Sequence, residues 1–230
     1  MKEILFSDKI RRAAPELKVL QISAKCINFP TSDSLWEEIC MECDRIASSF
    51  KLNEINKRPA IAATRKAYKA LGKEPNRYRP SAEALCRRIV TGKGLYRLSA
   101  LIDIINLASV KSGYSIGGFD CDIIDGNTLL LDAGTPEDIF HGIGRGQLNI
   151  AGLPVYRDRK GGIGTPTSDE ERTKLSLDTS NLLMLVNIYG EEMEPVETLG
   201  FIKSLLFKYT SATSIEASLH IAATGDTVSL

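Results

Sequence analysis

The chain of 230 residues lacks the features that mark a membrane protein or a disulfide-stabilised secreted protein. No run approaches the roughly eighteen apolar residues that a membrane-spanning helix needs. Residues 1–8 lack the apolar segment and small-residue cleavage site of a secretory signal. The five cysteines are an odd number without framework spacing, which is typical of free thiols in a reducing compartment. We therefore expect a cytoplasmic protein that does not enter a membrane.

One pair of cysteines, Cys40 and Cys43, has the C-x-x-C spacing of redox motifs and zinc sites. The apolar periodicity around them predicts a helix over residues 34–50, with Ser34 as its N-cap. A zinc site would need two more soft ligands, and no second pair or nearby histidine exists. A redox pair would follow a strand. We interpret the pair as core thiols and expect neither a metal nor a cofactor.

The 29 basic and 29 acidic residues give no net charge, but they are unevenly distributed. Residues 57–97 contain twelve Lys or Arg and only two Glu, so this segment carries +10 and the rest of the chain −10. Tyr68, Tyr78 and Tyr96 lie among the cations and offer rings for stacking on bases. Such a segment suits a polyanion, most commonly nucleic acid. The alternative is that the cations pair with acidic residues elsewhere. The candidate nucleic-acid-binding residues are Arg65, Lys69, Arg77, Arg79, Arg87 and Arg88.

The order of predicted elements indicates the fold class. Helices are predicted over residues 34–50, 59–71, 80–90, 99–110 and 195–209, and strands over 17–26, 129–132, 155–156, 182–188 and 214–222. Helices first, followed by mixed strands and helices, favour α+β or a mixed three-layer α/β arrangement. We expect one compact domain, residues 1–230, with helices packed on a mixed β-sheet.

Glycines and polar residues concentrate in two predicted loops, residues 115–120 and 160–169. The second runs into Ser168-Asp169-Glu170-Glu171, whose spacing predicts a capping box at a helix N-terminus, where a phosphate or carboxylate could bind. The loop matches neither the P-loop nor the dinucleotide fingerprint. The alternative is a mobile surface loop with an ordinary cap.

Only two histidines are available for acid–base chemistry. His220 lies in the alternating C-terminal strand and is interpreted as structural. His141 lies in a glycine-rich segment and is the better candidate. No Ser-His-Asp or Cys-His arrangement follows from the spacing. Hydrolysis, if present, would therefore use a positioned water.

Five motifs occur in order along the middle of the chain: RPSAEALCRR (79–88), LSALIDIIN (98–106), GFDCDIIDG (118–126), PVYRD (154–158) and SDEERT (168–173). In this order and spacing they resemble the B3/B4 domain of the bacterial phenylalanyl-tRNA synthetase β subunit, in its free-standing form. The resemblance covers a core of about residues 55–190. It implies a mixed α/β domain that binds the aminoacylated end of tRNA. In the synthetase, that domain hydrolyses tyrosine wrongly attached to the phenylalanine tRNA.

The resemblance implies a pocket for the amino-acid ester formed by the two loops, beside cationic helices that hold the acceptor stem. The synthetase pattern has a histidine at the position of Gly117. The expected catalytic residues are Thr167, Ser168 and Asp169, with His141 as a conditional helper. The expected substrate-binding residues are Asn106, Gly117, Gly118, Asp120, Thr165 and Arg172.

Three functions remain open at this point. The chain could be a trans-editing aminoacyl-tRNA deacylase, a tRNA-binding module without a reaction, or a small-molecule binder that uses the same pocket. We do not expect it to charge tRNA by itself, because the synthetase's catalytic and anticodon-binding modules are absent from the sequence.

Overall fold

A computed structural model describes all 230 residues of the chain. The helices are α1 (Asp8–Ala13), α2 (Asp33–Ser49), α3 (Pro59–Ala70), α4 (Ser81–Val90), α5 (Ala100–Ser112) and α6 (Pro195–Tyr209). The strands are β1 (Glu3–Phe6), β2 (Lys18–Lys25), β3 (Ser115–Asp120), β4 (Thr128–Ala133), β5 (His141–Gly142), β6 (Gly146–Gln147), β7 (Pro154–Asp158), β8 (Gly161–Gly164), β9 (Asn181–Ile188), β10 (Ser214–Ile221) and β11 (Thr227–Ser229).

The larger sheet has the strand order β11-β10-β2-β9-β3 and is antiparallel throughout. Strand β9 is apolar at most positions because both of its faces are covered. Met184 and Val186 belong to the core beneath the helices, whereas Leu183 and Leu185 belong to a second core on the other face. The larger sheet is therefore the middle layer of the molecule.

The smaller sheet has the order β1-β4-β7-β8, with β1 parallel to β4 and the other pairs antiparallel. It covers one face of the larger sheet, while α2, α4, α5 and α6 cover the other. The result is a single domain with the mixed α/β fold that the sequence indicates. No helix combines the length and apolarity that crossing a membrane requires.

Strands β3 and β8 are edge strands of the two sheets, and they approach each other closely. A Cβ at Gly164 on β8 would lie 2.6 Å from Cζ of Phe119 on β3, and a Cβ at Gly117 would lie 2.7 Å from the same atom. Glycine at both positions therefore makes room for the Phe119 ring. The meeting point of these edges is where the candidate site lies.

Most predicted elements are confirmed to within one or two residues, including the buried helix α5 and the alternating strand β10. The N-cap of α2 is Ser32 rather than Ser34. The prediction that residues 115–120 form a loop was wrong, because they form the fully buried strand β3. Part of the second predicted loop is likewise the strand β8. Glycine marks a close approach between strands here, not a turn.

The predicted capping box at Ser168 was also wrong. No α-helix begins at this position, and the next regular element is a short 3-10 helix, Glu171–Thr173. Glu170 precedes that turn, and its side chain accepts a hydrogen bond of 2.6 Å from the backbone N–H of Arg172. The helix N-terminus that was expected to hold an anion is therefore not present.

The cysteine pair lies on α2, as predicted, but the interpretation as core thiols holds only in part. Cys40 is exposed, whereas Cys43 is half-buried. Burial raises the pKa of the Cys43 thiol to about 11, so it stays protonated at neutral pH. No cluster of His, Cys, Asp and Glu side chains in the structure could hold a metal ion.

Candidate functional site

Two cavities of different chemistry adjoin at residues 165–168, and they share a wall. One has a volume of about 240 Å³ and is mainly apolar, and the other has a volume of about 350 Å³ and is rich in arginine. Thr165 and Ser168 line both of them. A ligand with an apolar part and an anionic part could thus occupy both cavities at once.

The apolar cavity lies between helices α4 and α5, strand β3 and residues 165–169. Its apolar lining is formed by Leu85, Leu98, Ile102, Ile105, Ile116, Ile143 and Leu175. Polar groups enter at a few points, among them Asn106 of α5, Ser168 and Asp169. The Asn106 side chain makes no hydrogen bond within the protein and remains free for a ligand. Few convergent polar groups on an apolar wall are typical of a site for a small organic group.

Asp169 is the acidic group of this cavity, and its environment alters its acidity. Its Oδ2 accepts a hydrogen bond of 3.2 Å from the backbone N–H of Gly118, while Oδ1 has no partner in the protein. Burial raises the pKa of Asp169 to about 7, and the Gly118 N–H offsets this only in part. A carboxyl group with such a pKa exchanges a proton readily near neutral pH, as a general base must.

Residues 165–168 form a tight turn that holds Ser168 and Asp169 in place. Thr165 Oγ1 accepts from the backbone N–H groups of Thr167 (3.2 Å) and Ser168 (3.0 Å) and donates to the carbonyl of Ser168. The Thr167 hydroxyl lies 2.8 Å from the buried hydroxyl of Tyr68. The carbonyl of Pro166 accepts a bond of 2.7 Å from the N–H of Ser81, the first residue of α4. The turn is therefore anchored to α3 and α4 as well as to itself.

The second cavity collects positive charge. Arg77, Arg79, Arg87 and Arg145 line it, together with the polar side chains of Thr167 and Asn149. No carboxylate is part of its wall. Arginine forks match the geometry of phosphate oxygens, so this cavity suits a phosphorylated ligand.

Several cations of residues 57–97 are structural and not free for a ligand. Arg58 is 4% exposed and pairs with Glu192 at 2.7 Å. Lys73 is 7% exposed and donates to the carbonyls of Asn149 and Ala151. Arg65, expected among the nucleic-acid-binding residues, pairs at 2.8 Å with the buried Glu83. Pairing with acidic side chains is thus correct for Arg58 and Arg65, whereas Lys73 is held by backbone carbonyls.

The other expected contacts of this segment divide in the same way. Arg77, Arg79 and Arg87 line the arginine-rich cavity, whereas Lys69 and Arg88 do not. The Arg88 guanidinium instead lies 3.9 Å from the centre of the exposed Tyr96 ring. The expectation that Tyr68 could stack on a base was wrong, because its ring is fully buried.

Four of the expected substrate or catalytic residues lie outside both cavities. Arg172 forms a bidentate pair with Asp158 at 2.8 and 2.9 Å. Asp120 is buried and accepts a bond of 2.9 Å from the Thr179 hydroxyl. Gly117 is packed against the Phe119 ring. His141 is exposed on β5, with its Nδ1 4.0 Å from Glu170 Oε1.

The second histidine has the structural surroundings that the sequence predicts. His220 is buried, its Nε2 accepts a hydrogen bond of 2.9 Å from the Gln21 side-chain amide, and its Nδ1 lies 2.9 Å from the Thr227 hydroxyl. Burial lowers the pKa of His220, which keeps the ring neutral.

Sequence reasoning missed two residues that the short hairpin β5–β6 brings to the site. Ile143 lines the apolar cavity, and Arg145, two residues further on, lines the arginine-rich one. Both lie between Gly142 and Gly146, where local sequence gives no sign of either role. The hairpin lies beside residues 165–169 because an antiparallel β-bridge joins Gly142 to Glu170, a contact that local sequence does not show.

A comparison with protein families identifies the family of this chain. The B3/4 domain family model matches residues 63–193, more than half of the chain. The protein therefore belongs to the B3/4 domain family, and both cavities are lined mainly by residues within that range.

One solved structure with the same fold is the N-terminal fragment of the phenylalanyl-tRNA synthetase β-subunit from Pyrococcus horikoshii. The TM-score is 0.50 at 14% sequence identity, and the match covers 98% of this chain and 53% of that one. This chain thus spans about half the length of the fragment, and the likeness shows the fold. No curated protein matches the sequence.

Proposed function

We propose that this protein binds the aminoacylated 3′ end of tRNA and hydrolyses the ester in trans. The observation that carries the proposal is the pair of adjoining cavities that share Thr165 and Ser168. Membership of the B3/4 family and the fold of a phenylalanyl-tRNA synthetase fragment support tRNA as the partner.

The two cavities divide the substrate between them. The apolar cavity takes the amino-acid side chain, and its volume of about 240 Å³ limits the size of that side chain. The arginine-rich cavity takes the phosphates of the terminal nucleotides. The ester bond then lies near the shared wall, within reach of Ser168 and Asp169. Neither cavity alone accounts for a ligand of this mixed chemistry.

The reaction requires only water and a base. The carboxylate of Asp169 accepts a proton from a water molecule, whose oxygen attacks the ester carbonyl carbon. The bond between that carbon and the ribose oxygen breaks, and the ribose oxygen receives the proton from the Asp169 carboxyl group. Asn106 and Ser168 supply hydrogen bonds to the amino acid and to the carbonyl oxygen as negative charge develops there.

A second candidate, a tRNA-binding module without a reaction, is favoured by Gly117. The synthetase pattern has a histidine at this position, and here a side chain would meet the Phe119 ring and Asp169 Oδ1. The proposed reaction therefore depends on Asp169 alone as the base.

The test is amino-acid release from a panel of charged tRNAs that includes the phenylalanine tRNA carrying tyrosine. We expect release by the wild type that is lost in the Ser168→Ala/Asp169→Ala double variant. Salt-sensitive tRNA binding should persist in that variant. Binding without release from any member would favour the second candidate. Binding that is insensitive to salt would point to a small molecule as the ligand.

A further inference from the structure

A second basic cleft adjoins the arginine-rich cavity, and Asp169 does not line it. Its volume is about 580 Å³, and it is lined by Lys51, Asn53, Asn56, Asn76, Arg79 and Arg87. The last two also line the arginine-rich cavity, so the two spaces adjoin at these side chains. Together they are larger than the space that a terminal nucleotide would fill.

The charge of this cleft is positive despite the presence of a carboxylate. Glu83 also lines it, but that side chain is buried and paired with Arg65 at 2.8 Å. Arg79 lies 3.8 Å from the same carboxylate and keeps about half of its side chain exposed. Lys51 is exposed, and its ammonium group has no carboxylate partner. The net field in the cleft therefore attracts an anion.

The lining also indicates what kind of anion fits. Leu52 is its one apolar residue, so the cleft does not suit an apolar group. Asn53 is exposed and offers both a donor and an acceptor, whereas Asn76 offers its amide N–H groups because its Oδ1 accepts a bond of 2.7 Å from Arg65. Such amides match the edges of bases and ribose hydroxyls. Cations that follow a groove with amides between them are suited to a single-stranded polynucleotide.

We propose that this second cleft binds the nucleotides that precede the terminal dinucleotide of a single-stranded RNA 3′ end. The inference rests on the proposed function and specifies its substrate as a polynucleotide that passes over Arg79 and Arg87. An aminoacylated nucleoside alone would leave the second cleft empty.

The test compares two uncharged RNA probes, one of about six nucleotides that ends in CCA and the terminal dinucleotide. The variant is Lys51→Ala/Asn53→Ala, because both side chains are exposed and make no hydrogen bond within the protein. Lys66→Ala is the matched control, an exposed lysine of α3 that lines none of these cavities. Fluorescence anisotropy at several salt concentrations gives the affinities.

We expect the double variant to bind the longer probe about tenfold more weakly, with a salt slope reduced by about one. Its affinity for the dinucleotide should equal that of the wild type, and Lys66→Ala should change neither. Equal affinity of variant and wild type for the longer probe would overturn the inference. Release of amino acid from charged tRNA is measured separately, so absence of hydrolysis with Lys51-dependent RNA binding would overturn only the deacylase.

Discussion

The two cavities beside Thr165 and Ser168 are built from different parts of the chain and suit opposite chemistries. The apolar one is formed by buried faces of α4, α5 and β3, with a single acidic group, Asp169. The arginine-rich one is formed by loop residues and one face of α4, with no acidic group. Under the proposed function, one ligand carries both an apolar part and phosphates, and its reactive bond lies between them.

Removal of the acidic group of the apolar cavity should have the largest effect, and it should affect hydrolysis rather than RNA binding. We expect Asp169→Asn to lower the rate of ester hydrolysis by about 100-fold or more, because the amide cannot accept a proton from water. Affinity for RNA should stay within about twofold, because Arg77, Arg79 and Arg87 are unchanged. Single-turnover release of amino acid and anisotropy measure the two effects. Asp178→Asn, at an exposed position outside both cavities, is the control, and equal loss in both variants would contradict the assignment.

Substitutions in the arginine-rich cavity should have the opposite effect and weaken RNA binding rather than hydrolysis. Arg79→Ala/Arg87→Ala should weaken RNA binding by at least about tenfold and reduce the salt slope by about two. Hydrolysis at saturating substrate should change far less, because Asp169 is untouched. The matched control is Lys57→Ala/Lys66→Ala, which removes the same charge from exposed positions. The same change of affinity in both double variants would mean that only overall charge matters.

The pH dependence of hydrolysis tests whether Asp169, in the apolar cavity, is the base. Because burial raises the pKa of Asp169 to about 7, its carboxylate form increases as pH rises through neutrality. We expect the hydrolysis rate to increase about tenfold between pH 6 and pH 8 in single-turnover measurements. In Asp169→Asn the residual rate should lack this step. A wild-type profile without an inflection near neutral pH would exclude Asp169 as the base.

The hairpin residue Ile143 tests the shape of the apolar cavity. Ile143→Ala should enlarge it, so that amino acids with larger side chains are released several-fold faster relative to smaller ones. RNA affinity and its salt slope should not change, because Arg145 still lines the other cavity. The measurement is release from tRNAs charged with side chains of graded size, and Ile139→Ala, at an exposed position outside both cavities, serves as control.

The smallest effect concerns stability. An aspartate whose pKa is raised in the folded state binds its proton more tightly there, so folding stability declines as pH rises from about 4 to 7. Asp169→Asn does not lose this stability. We expect its thermal midpoint to exceed that of the wild type by a few degrees at pH 8 and by less at pH 5. Thermal unfolding followed by circular dichroism measures it, and a difference that does not depend on pH would contradict the raised pKa.

The sequence indicates the helices and most strands correctly because their apolar periodicity is local. It fails at β3 and β8, where glycine composition is typical of loops. The cause is tertiary, since Phe119 needs the space that Gly117 and Gly164 leave free. The capping box fails for a similar reason: the hydroxyl of Thr165, three residues earlier, accepts the backbone N–H of Ser168 and closes a turn.

The candidate site could be predicted only where its residues lie in the glycine-rich segment 160–169 or in a motif that carries the family resemblance. Asn106, Thr165, Ser168 and Asp169 were all expected, and the structure brings them to one apolar cavity. Arg145 could not be expected, because it reaches the site through a hairpin that pairs with distant residues. Free and structural arginines also cannot be distinguished in the sequence, because the ion pair between Arg65 and the buried Glu83 is seen only in the folded structure.

The most direct test of the central claim is a crystal structure with a non-hydrolysable analogue, a short RNA 3′ end that carries tyrosine through an amide bond. We predict that the amino-acid side chain lies in the apolar cavity beside Asn106 and that the phosphates contact Arg79 and Arg87. The amide carbonyl should lie at the shared wall, near Ser168 and Asp169. An RNA bound elsewhere, or an amino acid outside the apolar cavity, would contradict the claim that both cavities hold one ligand.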